Sequence, residues 1–375
     1  SVITGIPNYP IGGFFKGYSL LGPKFEFYKK IKVYRSILFP RGGGGKARLF
    51  LNYFSFAFFA SIRILFLSKK EYDIIFVHEP SPITVGIPAL VLKKIKKIPL
   101  VFWVMDLWPE SIYVGSNLQS KTIERLILPI VKLIYKESDK ILVTSRAFIS
   151  SIVEKNVDPK KISYFPQYAE SIFHQKNKVF QKYSELFPKG FNIVFAGNIG
   201  EAQDFESIIE AAELSKGKEI NWIIIGSGRN ENWVKNKIKE KQLESTVYLL
   251  GYYPLESMPH MYSNANALLI TLKKSKILSL TAPGKIQSYL AFGKPILSMM
   301  DGEGSRIIID SGAGLAAPSK DSKTLLKNVF KMKAMNEDEL RSMGHNGQKY
   351  YEINFERKLL IKKLTNIFLK LNNLN

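Results

Sequence analysis

The chain has 375 residues, with 46% hydrophobic, 13% aromatic and 23% charged residues and a formal net charge of +22. That composition excludes a disordered or fibrous chain, and the length favours two domains over one. The absence of cysteine removes disulfides, thiolate nucleophiles and Cys-ligated metals; four scattered histidines, with no His-Glu-x-x-His helix, lead us to expect no metal site.

Residues 1–172 hold 25 Lys/Arg against 12 Asp/Glu, so the positive excess leans towards the first half. A field of this sign concentrates anionic membranes and polyanions. No zinc-finger spacing, aromatic RNP motif or basic zipper accompanies it. An anionic membrane surface and simple solvation are therefore the open alternatives, and nucleic acid is not expected as a partner.

In chain order, residues 1–7 read as a strand running into a turn, not as a signal peptide. Residues 50–67 are rich in Phe, Leu and Ile, but Asn52, Ser55, Ser61 and Arg63 interrupt them, which predicts an amphipathic or buried helix rather than a membrane span. Strands are predicted at 73–77, 99–104, 140–144 and 162–165, with helices at 49–67, 83–96, 122–136 and 147–155 between them. A lysine-rich stretch over 174–189 precedes a second series of strands, at 191–196, 220–225, 247–250, 267–270, 295–298 and 314–317. This alternation predicts two doubly wound α/β domains, over 1–172 and 173–354, with a last helix at 355–371 that could pack back on the first.

Ligands of such sheets sit beyond the carboxyl ends of the strands. Glycines fall there: Gly197 and Gly200 after one strand, Gly226 and Gly228 with Arg229 after the next, and Gly284 before Lys285 at a helix start. Three such loops on one sheet, with two cations, point to a diphosphate site. Lysine at a helix N-terminus is unfavourable without an anion nearby. Asp106 ends an apolar strand, where a carboxylate either caps the next helix or faces a cleft. His78 and Glu79 end another strand, although Pro80 and Pro82 alone would explain that turn. Glu110 follows Pro109 at a helix start, a normal first-turn position. Tyr252 and Tyr253 could flank a uracil ring or simply pack. Trp103 and Trp108 read as core.

Thr4 to Pro10 (Thr-Gly-Ile-Pro-Asn-Tyr-Pro), His78-Glu79-Pro80, Val104 to Ser111 (Val-Met-Asp-Leu-Trp-Pro-Glu-Ser), Phe195 to Glu201 and Thr281 to Pro295 together resemble the retaining GT-B glycosyltransferases of family four. Within that family the resemblance is to bacterial enzymes of O-antigen and capsule assembly that include N-acetyl-L-fucosamine transferases. It implies two Rossmann-like domains facing across a cleft, the first lacking its initial strand and helix. It also implies transfer of a sugar from a UDP-sugar to an undecaprenyl-diphosphate-linked saccharide, at the cytoplasmic face of the inner membrane and without a cofactor.

On these motifs the donor would meet Gly197, Asn198, Gly200, Glu201, Gln203, Gly228, Arg229, Tyr252, Tyr253, Thr281, Pro283, Gly284 and Ser288. Asp106 and Lys285 would be catalytic, and the acceptor would lie near Asn8, Tyr9, His78, Glu79 and Glu110. The chain departs from the family where two glutamates usually stand, having Leu280 and Ser288. Asn198 and Gln203 fall near the positions of an Arg/Lys pair, and Met105 takes that of a histidine. A UDP-sugar 2-epimerase of the same architecture and an inactive scaffold remain as alternatives.

Overall fold

A computed structural model of the chain describes residues 1–9, 11–22, 24–43, 45–113, 121–174 and 181–372. The first half contains β1 (Val2–Gly5), β2 (Phe25–Tyr28), β3 (Ile31–Ser36), α1 (Lys46–Leu67), β4 (Ile75–Glu79), α2 (Gly86–Lys96), β5 (Leu100–Val104), α3 (Lys121–Glu137), β6 (Lys140–Val143), α4 (Phe148–Val153) and β7 (Ile162–Tyr164). The second begins with α5 (Gln181–Ser184), β8 (Phe191–Ala196), α6 (Phe205–Leu214), β9 (Ile220–Ile225), α7 (Glu231–Glu240), β10 (Val247–Gly251), α8 (Met258–Ser263) and β11 (Ala267–Thr271). It continues through α9 (Lys276–Leu280), α10 (Lys285–Phe292), β12 (Ile296–Met299), α11 (Glu303–Asp310), β13 (Gly314–Ala317), α12 (Ser322–Lys333), α13 (Glu337–Asn354) and α14 (Arg357–Asn372).

Strands form where β-branched and aromatic residues run together, and the runs buried on both faces are the parallel ones. Every residue of β5, β8 and β9 is buried. The second half is one parallel sheet in the order β10-β9-β8-β11-β12-β13. Chain order reverses between β8 and β11, and loops beyond that switch point form a crevice. β4-β5-β6-β7 is likewise parallel.

The remaining strands correct the expected single first sheet. β1 pairs parallel with β3, and β2 pairs antiparallel with β3, giving a separate sheet in the order β1-β3-β2. Among the described residues, β1 and β4 each end a sheet and do not pair with each other. The β2–β3 hairpin is absent from the sequence-based expectation because its turn carries no Gly or Asn signal: Lys29 takes the left-handed conformation, with φ of 54°.

The two halves interlock. Leu360, Leu364, Ile367 and Phe368 of α14 pack on Val101, Trp103, Leu142 and Phe165 of the first half. In return, Ile277 and Leu280 of α9 join the first-half core with Val104, Leu107 and Trp108. Polar contacts follow the same seam: the Arg146 N–H donates to Glu303 Oε1 at 3.3 Å, and the Ala169 N–H to the Tyr351 hydroxyl at 3.2 Å. Ser145 Oγ donates to the Leu280 carbonyl.

Candidate active site

Three loops at the carboxyl ends of β8, β9 and β10 are tied together by their backbones. The Gly197 N–H donates to the Ile225 carbonyl at 2.8 Å, the Ile199 N–H to that of Ser227 at 2.8 Å, and the Gly226 N–H to that of Gly251 at 2.7 Å. Gly226 has φ of 138°, and a Cβ there would lie 1.9 Å from the Gly197 carbonyl oxygen. Only glycine fits that conformation and that approach.

Lys285, the first residue of α10, runs beneath this turn; a Cβ on Gly197 would meet its Cε at 2.5 Å. Its ammonium lies 3.9 Å from the centroid of the Phe195 ring. Among the described residues Nζ is buried without a hydrogen-bond partner. Burial pulls its pKa from 10.5 down to about 7. The N-terminus of α10 has neither a side-chain cap nor an acid in its first turn. A buried cation thus stands in the first turn of a helix with no side-chain cap and no acid beside it, an arrangement that suits a phosphate group.

The other residues expected on the donor side differ in exposure and contacts. The Asn198 side chain covers Gly200 and Gly228. Gln203 is half-buried and its N–H closes a turn on the Gly200 carbonyl, whereas Glu201 and Arg229 are exposed at the rim. Thr281 Oγ1 donates to the Ile277 carbonyl, ending α9, and the Pro283 carbonyl accepts from the Ile286 N–H. Tyr252 is 74% exposed, while Tyr253 is half-buried against Tyr183. Ser288 Oγ donates to Glu170 Oε2 at 3.4 Å, so a carboxylate from the connecting segment stands beside a position that carries none of its own. Glu170 was not foreseen from the sequence, nor was Gln167, whose Oε1 faces Gly284. Both contacts span more than a hundred residues and leave no local pattern.

On the first-half side, Glu79 ends β4, and Asp106 lies two residues beyond the neighbouring strand β5. The Asp106 N–H donates to Glu79 Oε2 at 3.4 Å, and Glu79 Oε1 is buried without a partner among the described residues. Burial, then the charge of Asp106, pushes the Glu79 pKa well above its ordinary value. Burial also raises Asp106, against the opposing hydrogen bonds of Ser81 and Ser111. His78 packs edge-on against Trp103 at 5.2 Å, and burial lowers its pKa. Trp103 and Trp108 are both core residues.

A cavity of about 290 Å³ lies beside Ser81, between the end of β1 and α1. Tyr9, Arg35, Arg41, Tyr53 and Phe56 are among its lining residues. The Arg41 guanidinium sits 5.1 Å from the Tyr9 ring and 5.4 Å from that of Tyr53. Asn8 supports this wall: its Oδ1 accepts from the Arg41 N–H and from Asn52 Nδ2, each at 3.3 Å. Arg41 and Tyr53 carried no recognisable motif.

Glu110 is engaged within the first half: its Oε1 accepts from Lys155 Nζ at 2.6 Å and Ser151 Oγ at 2.7 Å. Lys155 is the buried partner, at 8% side-chain exposure. Lys155→Met should therefore cost roughly 1–3 kcal/mol, discounted for the partly exposed glutamate, with UDP binding unchanged. Urea unfolding beside calorimetry checks both parts.

Two family descriptions match the chain, "Glycosyltransferase Family 4" over residues 22–167 and "Glycosyl transferases group 1" over residues 177–350. The chain belongs to these glycosyltransferases. The glycosyltransferase WbjE of Pseudomonas aeruginosa is 27% identical over 70% of this chain and 66% of its own length. The capsular polysaccharide biosynthesis glycosyltransferase CapM of Staphylococcus aureus is 22% identical over 52% of this chain and 50% of its own. The aligned part of the chain thus spans about two thirds or less of these relatives.

Among solved structures, the sucrose-phosphate synthase of Thermosynechococcus elongatus superposes with a TM-score of 0.74 at 15% identity, covering 95% of this chain and 87% of that one. Anabaena HepE, solved with UDP, gives 0.66 at 12% identity, covering 83% and 82%. These likenesses show the glycosyltransferase fold: two Rossmann-like domains of the GT-B type.

Proposed function

We propose that this glycosyltransferase binds a UDP-sugar with its diphosphate over Lys285 and the N-terminus of α10, and transfers the sugar with retention to a lipid-linked saccharide. The observation that carries this reading is the buried, unpartnered Lys285 ammonium beneath the Gly197 turn. Its support from relatives is that HepE was solved with UDP-glucose and that CapM is named for capsular polysaccharide biosynthesis.

In the proposed step, the bond between the anomeric carbon and the β-phosphate oxygen breaks. The acceptor oxygen bonds to that carbon from the same face, and its proton passes to the departing phosphate. Charge grows on UDP as it leaves, and preorganised N–H groups with one ammonium stabilise that charge. Asp106, beside the buried Glu79, orients a reacting hydroxyl by accepting its hydrogen bond. The acceptor is an undecaprenyl-diphosphate-linked saccharide presented at the cytoplasmic face of the inner membrane, and the first donor to test is an N-acetylated 6-deoxyhexosamine on UDP.

The test pairs calorimetry with product analysis on a lipid-linked acceptor. UDP should bind, and product should form with the anomeric configuration of the donor. Asp106→Asn should lower kcat about a hundredfold while leaving the Kd for UDP within about twofold. A C2-epimerised free sugar as the product would replace this reading with epimerisation. Absence of UDP binding would replace it with a scaffold role.

A further inference from the structure

The outer face of α1 is apolar along its length. Phe50, Phe54, Phe58, Ile62 and Phe66 recur every fourth residue, so that each neighbours the next in a stripe that winds along the outer side of the helix. Phe50 is 58% exposed, Phe58 61% and Phe66 74%, and Leu65 beside them is also exposed. Residues 47–67 are long and apolar enough to cross a membrane, yet only 22% of that window is buried.

The inner face is fixed to the domain. Asn52, Ala57, Ala60, Ile64 and Leu67 are buried, and Asn52 Nδ2 donates to the Phe39 carbonyl at 2.6 Å. A helix held this way cannot span a bilayer without leaving its own core, but it can lie in the interface.

Three features identify what covers the outer face. Residues 1–70 hold twelve Lys/Arg against a single acid, Glu26, which is already paired with Arg35. A groove of about 300 Å³ beside the stripe is lined by Ile37, Phe59, Ile62, Phe66 and Leu67, with Arg63 as its charged member. Lys24 stands close enough to Arg63 for the like charge to lower its pKa, after burial, and Leu21 in the adjoining loop is 99% exposed. Apolar walls beside crowded cations fit an amphiphile with an anionic head. A second copy of this chain would bring the same positive surface against itself.

We infer that the outer face of α1, with the Leu20–Leu21 loop and the Arg63 groove, docks into the surface of an anionic phospholipid bilayer, the helix lying in the interface plane. Phe56 and Tyr53, on the flank of the same helix, line the Arg41 cavity. If that cavity takes the acceptor, as in the reading above, docking sets its mouth at the membrane surface.

Because the chain lacks cysteine, Leu65→Cys can carry a single environment-sensitive fluorophore. Its emission should shift to the blue with phosphatidylglycerol vesicles, and a label at Glu244→Cys, exposed in the second domain, should not respond. The double variant Phe58→Ser/Phe66→Ser should partition about tenfold or more weakly into those vesicles. Partitioning of the parent should also fall as salt shrinks the Debye length from about 10 Å at 0.1 M to about 3 Å at 1 M.

An unchanged emission at residue 65 overturns the inference, and this holds even if the double variant misfolds. Parent-like partitioning of a folded double variant, or equal partitioning into phosphatidylcholine vesicles, also overturns it. Light scattering that shows a dimer dispersed by the double variant, without vesicle binding, assigns the face to a second copy instead. UDP calorimetry on the same samples separates the two readings, since loss of docking leaves nucleotide binding intact.

Discussion

Lys285→Met is expected to lower UDP affinity by about ten- to a hundredfold while raising the stability of the ligand-free protein. A charge-assisted hydrogen bond to phosphate is worth roughly 1.5–3 kcal/mol, which sets the loss. The gain arises because the free protein buries an amine without a hydrogen-bond partner among the described residues. With its pKa lowered to about 7 from 10.5, the native state binds fewer protons than the unfolded chain between those values. Stability contributed by this group therefore rises with pH across that window, at about 1.4 kcal/mol per pH unit. The stabilisation by Lys285→Met should accordingly be larger at about pH 6 than at about pH 9.

Binding an anion beside Nζ restores its charge, so UDP should take up a proton when it binds above about pH 7. Affinity should then fall by up to about tenfold per pH unit, until the pKa of the bound state is reached. Titrations in two buffers of different ionisation enthalpy measure that proton directly. Uptake should approach one proton at about pH 8.5 and vanish at about pH 6. Identical heats in both buffers at the higher pH would remove Lys285 from the diphosphate.

The glycine turns and Lys285 were legible in the sequence because their signals are local. Apolar runs such as residues 220–225 can only be strands buried on both faces, and the glycines directly after them mark close backbone approach. Lysine following Pro-Gly at a helix start runs against the helix dipole, and in the fold that lysine is buried without a hydrogen-bond partner among the described residues. The contacts of the first half were less legible because they join distant segments. Glu110 reads in the sequence as a first-turn residue, and its pairing with Lys155, 45 residues away, leaves no local pattern. Arg41 and Tyr53 become neighbours only when α1 folds against β1 and β3. The β2–β3 hairpin shows the converse: Phe-Glu-Phe-Tyr and Ile-Lys-Val-Tyr alternate properly for strands, but a turn through Lys29 gives no residue-type signal.

Gly226→Ala should destabilise the second domain by about 3–5 kcal/mol, whereas Gly217→Ala should cost only about 1 kcal/mol. Both glycines have positive φ, 138° and 69° respectively. The first value is nearly exclusive to glycine, and the second lies near the left-handed region that alanine tolerates at modest cost. The larger difference lies in the surroundings. A Cβ at Gly217 meets nothing within 4 Å, whereas at Gly226 it would stand 1.9 Å from the Gly197 carbonyl oxygen. Relief requires moving the Gly197 turn, which is held by its own N–H bond to the Ile225 carbonyl at 2.8 Å. Because Lys285 lies directly beneath that turn, Gly226→Ala should also weaken UDP binding in whatever fraction remains folded, and Gly217→Ala should leave it unchanged. Urea midpoints and UDP calorimetry on the two variants distinguish these outcomes. Equal destabilisation by both would mean that backbone conformation, and not contact between the β8 and β9 loops, makes glycine necessary at residue 226.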